Sequence, residues 1–207
     1  MRNVLNYFST SICTLMNKKL VILDLDETLV YSTYEPIDDN WDFEAFKYKV
    51  YKRPGLDSFI SELKKHYEVA VWSSASDDYV VKIVENIFPK DYPLKFVWGR
   101  SKCTLQFDHQ HIDELGYSDY FNHMNYAKIL KKAVKKGLAD YKRTLIVDDT
   151  PSKLKYNYGN AIYPTVFKGK QSDNELELLI DYLIKLKDIE DYRKIEKRYW
   201  KEEIKNS

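Results

Sequence analysis

Apolar residues fall along the chain in two alternating patterns. Short continuous runs appear at Leu20–Leu23 (LVIL), in YEVAVW at 67–72 and in TLIV at 144–147. Runs of this length without a polar period suit strands buried on both faces of a parallel sheet. Between them lie helical stripes. Leu56, Phe59, Ile60 and Leu63 follow Arg53-Pro54-Gly55 and end in KKHYE, where His66 is expected on the solvated surface. Val80, Ile83, Val84 and Ile87 form a second stripe, which Pro89 stops, and Leu176, Leu179, Leu183 and Leu186 form a third. Ser172 and Glu175 stand at capping-box spacing before that third helix. NYAKILKKAVKKG reads as a short helix with Ala127, Leu130 and Val134 inward and Gly137 as its stop. Ile189, Tyr192, Ile195 and Tyr199 predict a last helix packed on the domain. The alternation predicts an α/β fold, a central parallel sheet flanked by helices.

Two segments interrupt this alternation. After Val30, the turn residues Pro36, Asp38, Asp39 and Asn40 precede Phe46, Tyr48 and Val50, which alternate with Lys47 and Lys49. That is the pattern of a half-exposed hairpin, a small β flap after the first strand. A second departure, about residues 90–124, is strand-like and then polar and irregular. Residues 1–17 are expected to be peripheral or poorly ordered, and 18–207 to form one domain.

Bulk composition narrows the class. The 207 residues carry 33 basic and 32 acidic side chains, a net charge of +1, with 44% hydrophobic and 31% charged residues. That balance argues against a general nucleic-acid or membrane-surface binder, which needs an excess of positive charge. The N-terminal residues are too short and polar a stretch to span a bilayer. Only Cys13 and Cys103 are present, so no disulfide framework is expected and a reducing compartment fits. The 18 tyrosines are an excess without a physical account at this level.

The chemistry sits where the apolar runs end. Leu20–Leu23 runs straight into Asp24, Asp26 and Thr28, and TLIV runs into Asp148 and Asp149. Carboxyl ends of strands are where open α/β sheets bind ligands. Two carboxylates on one rim repel each other unless a metal or a shared proton offsets the charge. If the two strands are neighbours, both acidic pairs converge on one cation. The run at 67–72 ends in Ser73, Ser74 and Ser76, where hydroxyls beside a helix start suit a phosphoryl oxygen, although Ser76 also suits a helix cap. Cys103, His109, His111 and His123 supply zinc-type ligands, but their spacing matches none of the usual zinc patterns, and satisfied or exposed histidines are the better reading.

DLDETLV, with DxDxT after an apolar strand, resembles the haloacid-dehalogenase superfamily, and within it the FCP/SCP-type protein serine phosphatases that act on the tail of RNA polymerase II. WGRSKC, DDTP and NYGNAIYPTVFKG extend the likeness over about Leu20 to Leu186. The resemblance implies a haloacid-dehalogenase-like Rossmannoid fold and a Mg²⁺-dependent phosphatase working through an aspartyl-phosphate. It makes Asp24 the nucleophile and Asp26 the general acid and base. Lys128 becomes the third-motif lysine that stabilises the phosphoryl group, with Lys131 and Lys132 as alternatives. Thr28 and Ser73, or Ser74 in its place, would bind phosphate oxygens. Asp24, the Asp26 carbonyl and Asp149 would hold Mg²⁺, with Asp148 orienting its waters or supporting Lys128. Tyr34 and Arg100 would line the substrate groove, although for Tyr31, Tyr34 and Trp41 ordinary packing is the plainer reading. The implied partner is a phosphorylated protein or peptide, with no stable nucleic acid, no membrane and a monomeric state expected, inside the cell in nucleus or cytoplasm. Two rivals stand beside this reading: a polynucleotide 3′-phosphatase, which shares the DxDxT chemistry, and a non-catalytic scaffold of the kind that serves mitochondrial import.

Overall fold

A computed structural model describes residues 18–107 and 124–205. The expectations for residues 1–17, for Cys13 and for His109, His111 and His123 lie outside the described residues. Five strands form the central sheet: β1 (Lys19–Leu23), β5 (Tyr67–Trp72), β6 (Leu94–Trp98), β9 (Thr144–Val147) and β10 (Ala161–Ile162). Their order is β10-β9-β1-β5-β6, and every pairing is parallel. β1 therefore sits at the centre, where the order reverses, with Leu23 in register with Val147. The buried runs are strands because their side chains supply both faces of this sheet. Val21, Leu23, Val69, Val71, Leu145 and Val147 point into one core, and Leu20, Ile22, Ala70, Trp72 and Ile146 into the other.

The first core is covered by α1 (Leu56–His66), α2 (Asp77–Ile87) and α4 (Glu175–Leu186). The predicted stripes are the buried ones, Val84 alone lying half-buried in the second. Short α3 (Lys131–Lys135) lies against the second core through Leu130 and Ala133. The flap is a three-stranded antiparallel sheet of β2 (Val30–Thr33), β3 (Phe43–Ala45) and β4 (Tyr48–Lys52). Phe46 lies on its turn rather than in a strand, in a left-handed conformation with φ 56°.

Four boundaries differ from the sequence reading. Met124–Ala127 is strand β8, paired with β7 (Thr104–Phe107), so the helix begins only at Lys131. Pairing to Thr104–Phe107 outweighs the helix propensity of an Ala- and Lys-rich segment. Residues 94–98, placed in the middle insertion, belong to the central sheet, because Phe96 and Trp98 are buried against it. α4 starts at Glu175 itself, with Asp173 rather than Ser172 accepting from the Glu175 N–H. The tail is not one helix. A 3₁₀ turn (Tyr192–Lys194) and α5 (Trp200–Lys205) flank Lys197, whose buried ammonium donates to the Tyr192 and Ile195 carbonyls. Among the described residues no helix is long and apolar enough to cross a membrane.

Candidate active site

The adjacent carboxyl ends of β1 and β9 deliver Asp24 and Asp148 side by side. The Asp24 N–H donates to the Val147 carbonyl at 2.9 Å, and the Asp148 N–H to Ile162 at 3.2 Å, so each acid continues its strand's ladder. Both side chains are buried, and Lys128 stands between them. Its ammonium, wholly buried, lies 2.9 Å from Asp24 Oδ1 and 2.6 Å from Asp148 Oδ2. Lys128 leaves the end of β8, not a helix, and its backbone is fixed on both sides. The Lys128 N–H donates to the Lys153 carbonyl at 2.8 Å; Asn157 donates to the Lys128 carbonyl and accepts from Leu130 N–H at 2.9 Å. The alternatives Lys131 and Lys132 face elsewhere: Lys131 is exposed and Lys132 donates to the Lys102 and Cys103 carbonyls.

Sequence reasoning missed a second lysine. Lys153, on the 3₁₀ turn Pro151–Leu154, reaches Asp24 Oδ2 at 3.4 Å. Burial pushes Asp24 up, but Lys128 and then Lys153 outweigh it and hold the carboxyl below its usual range. Such a carboxylate is ionised at neutral pH, as a nucleophile requires. For Asp26 burial dominates and the Asp24 charge adds to it, against a hydrogen bond from Tyr79, leaving its pKa raised to about 6. Asp148 is raised to about 7, by burial and then by Asp24, with Lys128 opposing.

Thr28 bonds to Asp149 rather than pointing free toward a phosphate. Wholly buried, its hydroxyl donates to Asp149 Oδ1 and accepts from the Asp149 N–H, both at 3.2 Å, while Thr150 Oγ1 donates to Asp149 Oδ2 at 3.0 Å. The threonine orients a carboxylate. Ser73 is buried at the end of β5, and its Oγ accepts from Ala75 N–H at 3.0 Å, which leaves its own proton to donate. Ser74 offers its carbonyl to Arg100 Nε at 2.9 Å. Ser76 stands at the start of α2 but makes no side-chain cap.

Asp24, Asp148 and Asp149 each present an oxygen within 4.8 Å of the others. Three buried carboxylates against two ammonium groups leave an excess of negative charge, which adds to burial in driving Asp148 up. Hard oxygen donors with excess charge fit a divalent cation such as Mg²⁺. Cys103 is buried behind this site, with its Sγ 3.6 Å from the Ser73 carbonyl, and burial raises its thiol.

Beside Asp26 opens a cavity of about 650 Å³, lined by Tyr31, Phe46, Tyr48, Tyr79 and Arg100 among others. Arg100 reaches this wall because Gly99 lets its chain pass over α2. A Cβ there would come within 2.8 Å of the Asp77 Cα. Tyr34 is not part of the wall. It is half exposed at the flap edge, its ring 4.4 Å from Tyr48 and its hydroxyl accepting from the Tyr48 hydroxyl.

The chain is similar to several known proteins. Residues 19–193 match the family described as NLI interacting factor-like phosphatase. The chain is 27% identical over 195 residues to CTD small phosphatase-like protein 1 of Caenorhabditis elegans, covering 90% of this chain and 35% of that protein. It is 26% identical over 183 residues to human carboxy-terminal domain RNA polymerase II polypeptide A small phosphatase 1, covering 84% and 62%. The chain thus spans from about a third to about three fifths of the length of these relatives. A variant of the fission yeast RNA polymerase II CTD phosphatase Fcp1 bound to beryllium fluoride superposes with a TM-score of 0.54 at 14% identity, over 98% of this chain and 65% of that one. At that identity the likeness speaks for the fold, the haloacid-dehalogenase-like one.

Proposed function

The chain belongs to the NLI interacting factor-like phosphatase family, and from that premise we propose that it hydrolyses phosphoserine or phosphothreonine in proteins through an aspartyl-phosphate on Asp24. The observation that carries this reading is the buried set of Asp24, Lys128 and Asp148, with Asp149 completing the acids. Asp24 Oδ2, approached among the described residues by Lys153 alone at 3.4 Å, is the freer oxygen for attack on phosphorus. As that bond forms, the bond to the serine oxygen breaks, and Asp26 gives its proton to the departing oxygen. Asp26, now a carboxylate, takes a proton from the water that cleaves the acyl phosphate, restoring both acids. Lys128 and Lys153 offset charge on the phosphoryl oxygens, without which an anionic nucleophile is repelled. Ser73 donates to one of those oxygens. Magnesium held by Asp24, Asp149 and the Asp26 carbonyl, with Asp148 beside it, would supply the remaining positive charge.

A polymerase-tail-like phosphopeptide is the substrate class we favour. The aromatic wall of Tyr31, Phe46 and Tyr48 next to Asp26 suits an apolar residue adjacent to the phosphoserine. The test is phosphate release, with Mg²⁺, from a phosphoserine peptide patterned on that tail and from a 3′-phosphorylated oligonucleotide at equal concentration. Faster release from the peptide is expected; faster release from the oligonucleotide moves the protein to nucleic-acid repair with the same chemistry. Asp24→Asn, run alongside, should abolish release while its circular dichroism and melting stay those of the native fold. Undiminished turnover in that variant overturns the mechanism, and no turnover by the native protein favours a scaffold.

A further inference from the structure

A general acid must hold a proton and also aim it. The carboxyl torsion of an aspartate is broad and two-fold, so nothing intrinsic decides which oxygen of Asp26 carries the proton. Tyr79 supplies that decision from α2. Its hydroxyl donates to Asp26 Oδ1 at 2.6 Å, and the Ser32 hydroxyl lies 2.5 Å from the same phenol oxygen. With the phenol proton spent on Asp26, Ser32 has to be the donor to Tyr79. The donors therefore run in one direction, from the flap strand β2 through α2 to the acid. The ring itself cannot swing away: it is 7% exposed and packs edge-on against Tyr48 with centroids 5.8 Å apart.

We propose that Tyr79 is a positioning residue for Asp26, locking the carboxyl through Oδ1 so that Oδ2 carries the reactive proton. The inference rests on Asp26 being the general acid of the phosphatase reading. When the proton passes from Oδ2 to the leaving oxygen, the P–O electron pair goes to that oxygen and Asp26 becomes anionic. The bond from Tyr79 is then charge-assisted and stronger than in the ground state, so it favours the transition state over bound substrate. Ser32 fixes the rotor of the phenol and holds the flap in register with the acid.

The experiment compares kcat/KM for two esters with the full chain and Mg²⁺. One is the phosphoserine peptide, whose alkoxide leaves only if protonated. The other is p-nitrophenyl phosphate, whose leaving group is stable as an anion. Because kcat/KM runs up to the departure of the leaving group, it isolates the step that needs the acid. Tyr79→Phe should cut the peptide value by roughly 10- to 100-fold and leave the aryl value within about threefold. Ser32→Ala should shift the same ratio in the same direction by less. Retained aryl turnover doubles as proof that the variant is folded. Equal losses on both esters, or no loss on the peptide, overturn the inference. A native protein that turns over neither ester overturns the phosphatase reading, and the inference with it.

Discussion

At Thr28 one hydroxyl holds both the side chain and the backbone of Asp149. If Asp149 holds the proposed Mg²⁺, such a partner acts on the ligand without touching the metal, and losing one typically weakens metal binding 10- to 100-fold. Thr28→Val keeps the shape and deletes both bonds. Calorimetric titration with Mg²⁺ should therefore show binding weaker by roughly 10-fold or more than in the native protein; unchanged affinity would mean that Asp149 is not a ligand. The same scale explains what was legible and what was not. Asp24, Asp26 and Asp149 stand out in the sequence because they follow apolar runs. Lys128 was singled out only by resemblance, since five lysines crowd its segment. Lys153 and Tyr79 carry no local signal, because the partners that give them meaning lie 129 and 53 residues away.

Between elements, Arg53 just after β4 acts as a clamp. Its fully buried guanidinium makes two 2.8 Å bonds to Asp173, and it donates to the carbonyls of Thr28 and Thr165. It thereby ties the turn carrying Asp26 and Thr28 to the segment that leads into α4. That turn needs tying, because Glu27 sits in it at φ 61°, a conformation side chains seldom adopt. Phe167 N–H, donating to the Glu27 carbonyl at 2.7 Å, is a second tie. Burial raises the Asp173 carboxyl, but Arg53 outweighs it and leaves the pKa lowered. The native state then binds this proton less readily than the unfolded chain. The stabilisation is complete above the unfolded range of about 4 and is lost as pH falls through the lower folded value. Asp173→Asn should cost roughly 1–3 kcal/mol in urea unfolding at neutral pH, less than for a fully buried pair because Asp173 is part-exposed. It should also lose part of the steep acid decline that the native protein shows; an identical acid limb would mean the pair is not what titrates. Sequence periodicity read α1, α2 and the body of α4 well because each buries one face. It failed at β8 and in the tail, where pairing to β7 and the carbonyl ligands of Lys197 override a helical pattern.

For the whole molecule, β1 is the shared strand. It pairs with β5 on one side and β9 on the other, and Lys19 at its start donates to the carbonyls of Lys187 and Ile189. No half of the sheet is complete without it, so chemical unfolding should be a single transition that is the same by tryptophan fluorescence and far-ultraviolet circular dichroism. Separate midpoints would mean that the flanking halves fold independently.

The central position of β1 also sets when the site can exist. Ile22 pairs with Ile146, so a ribosome must add about 120 residues after the first acidic pair before its strand partner exists, on the order of 10 seconds of synthesis. Throughout that interval Asp24 and Asp26 stand on an unfinished chain that has not yet gained Asp148 and Asp149. A product that stops before β9 therefore lacks Asp148 and Asp149, and the acidic cluster is complete only once residues 144–149 have been made.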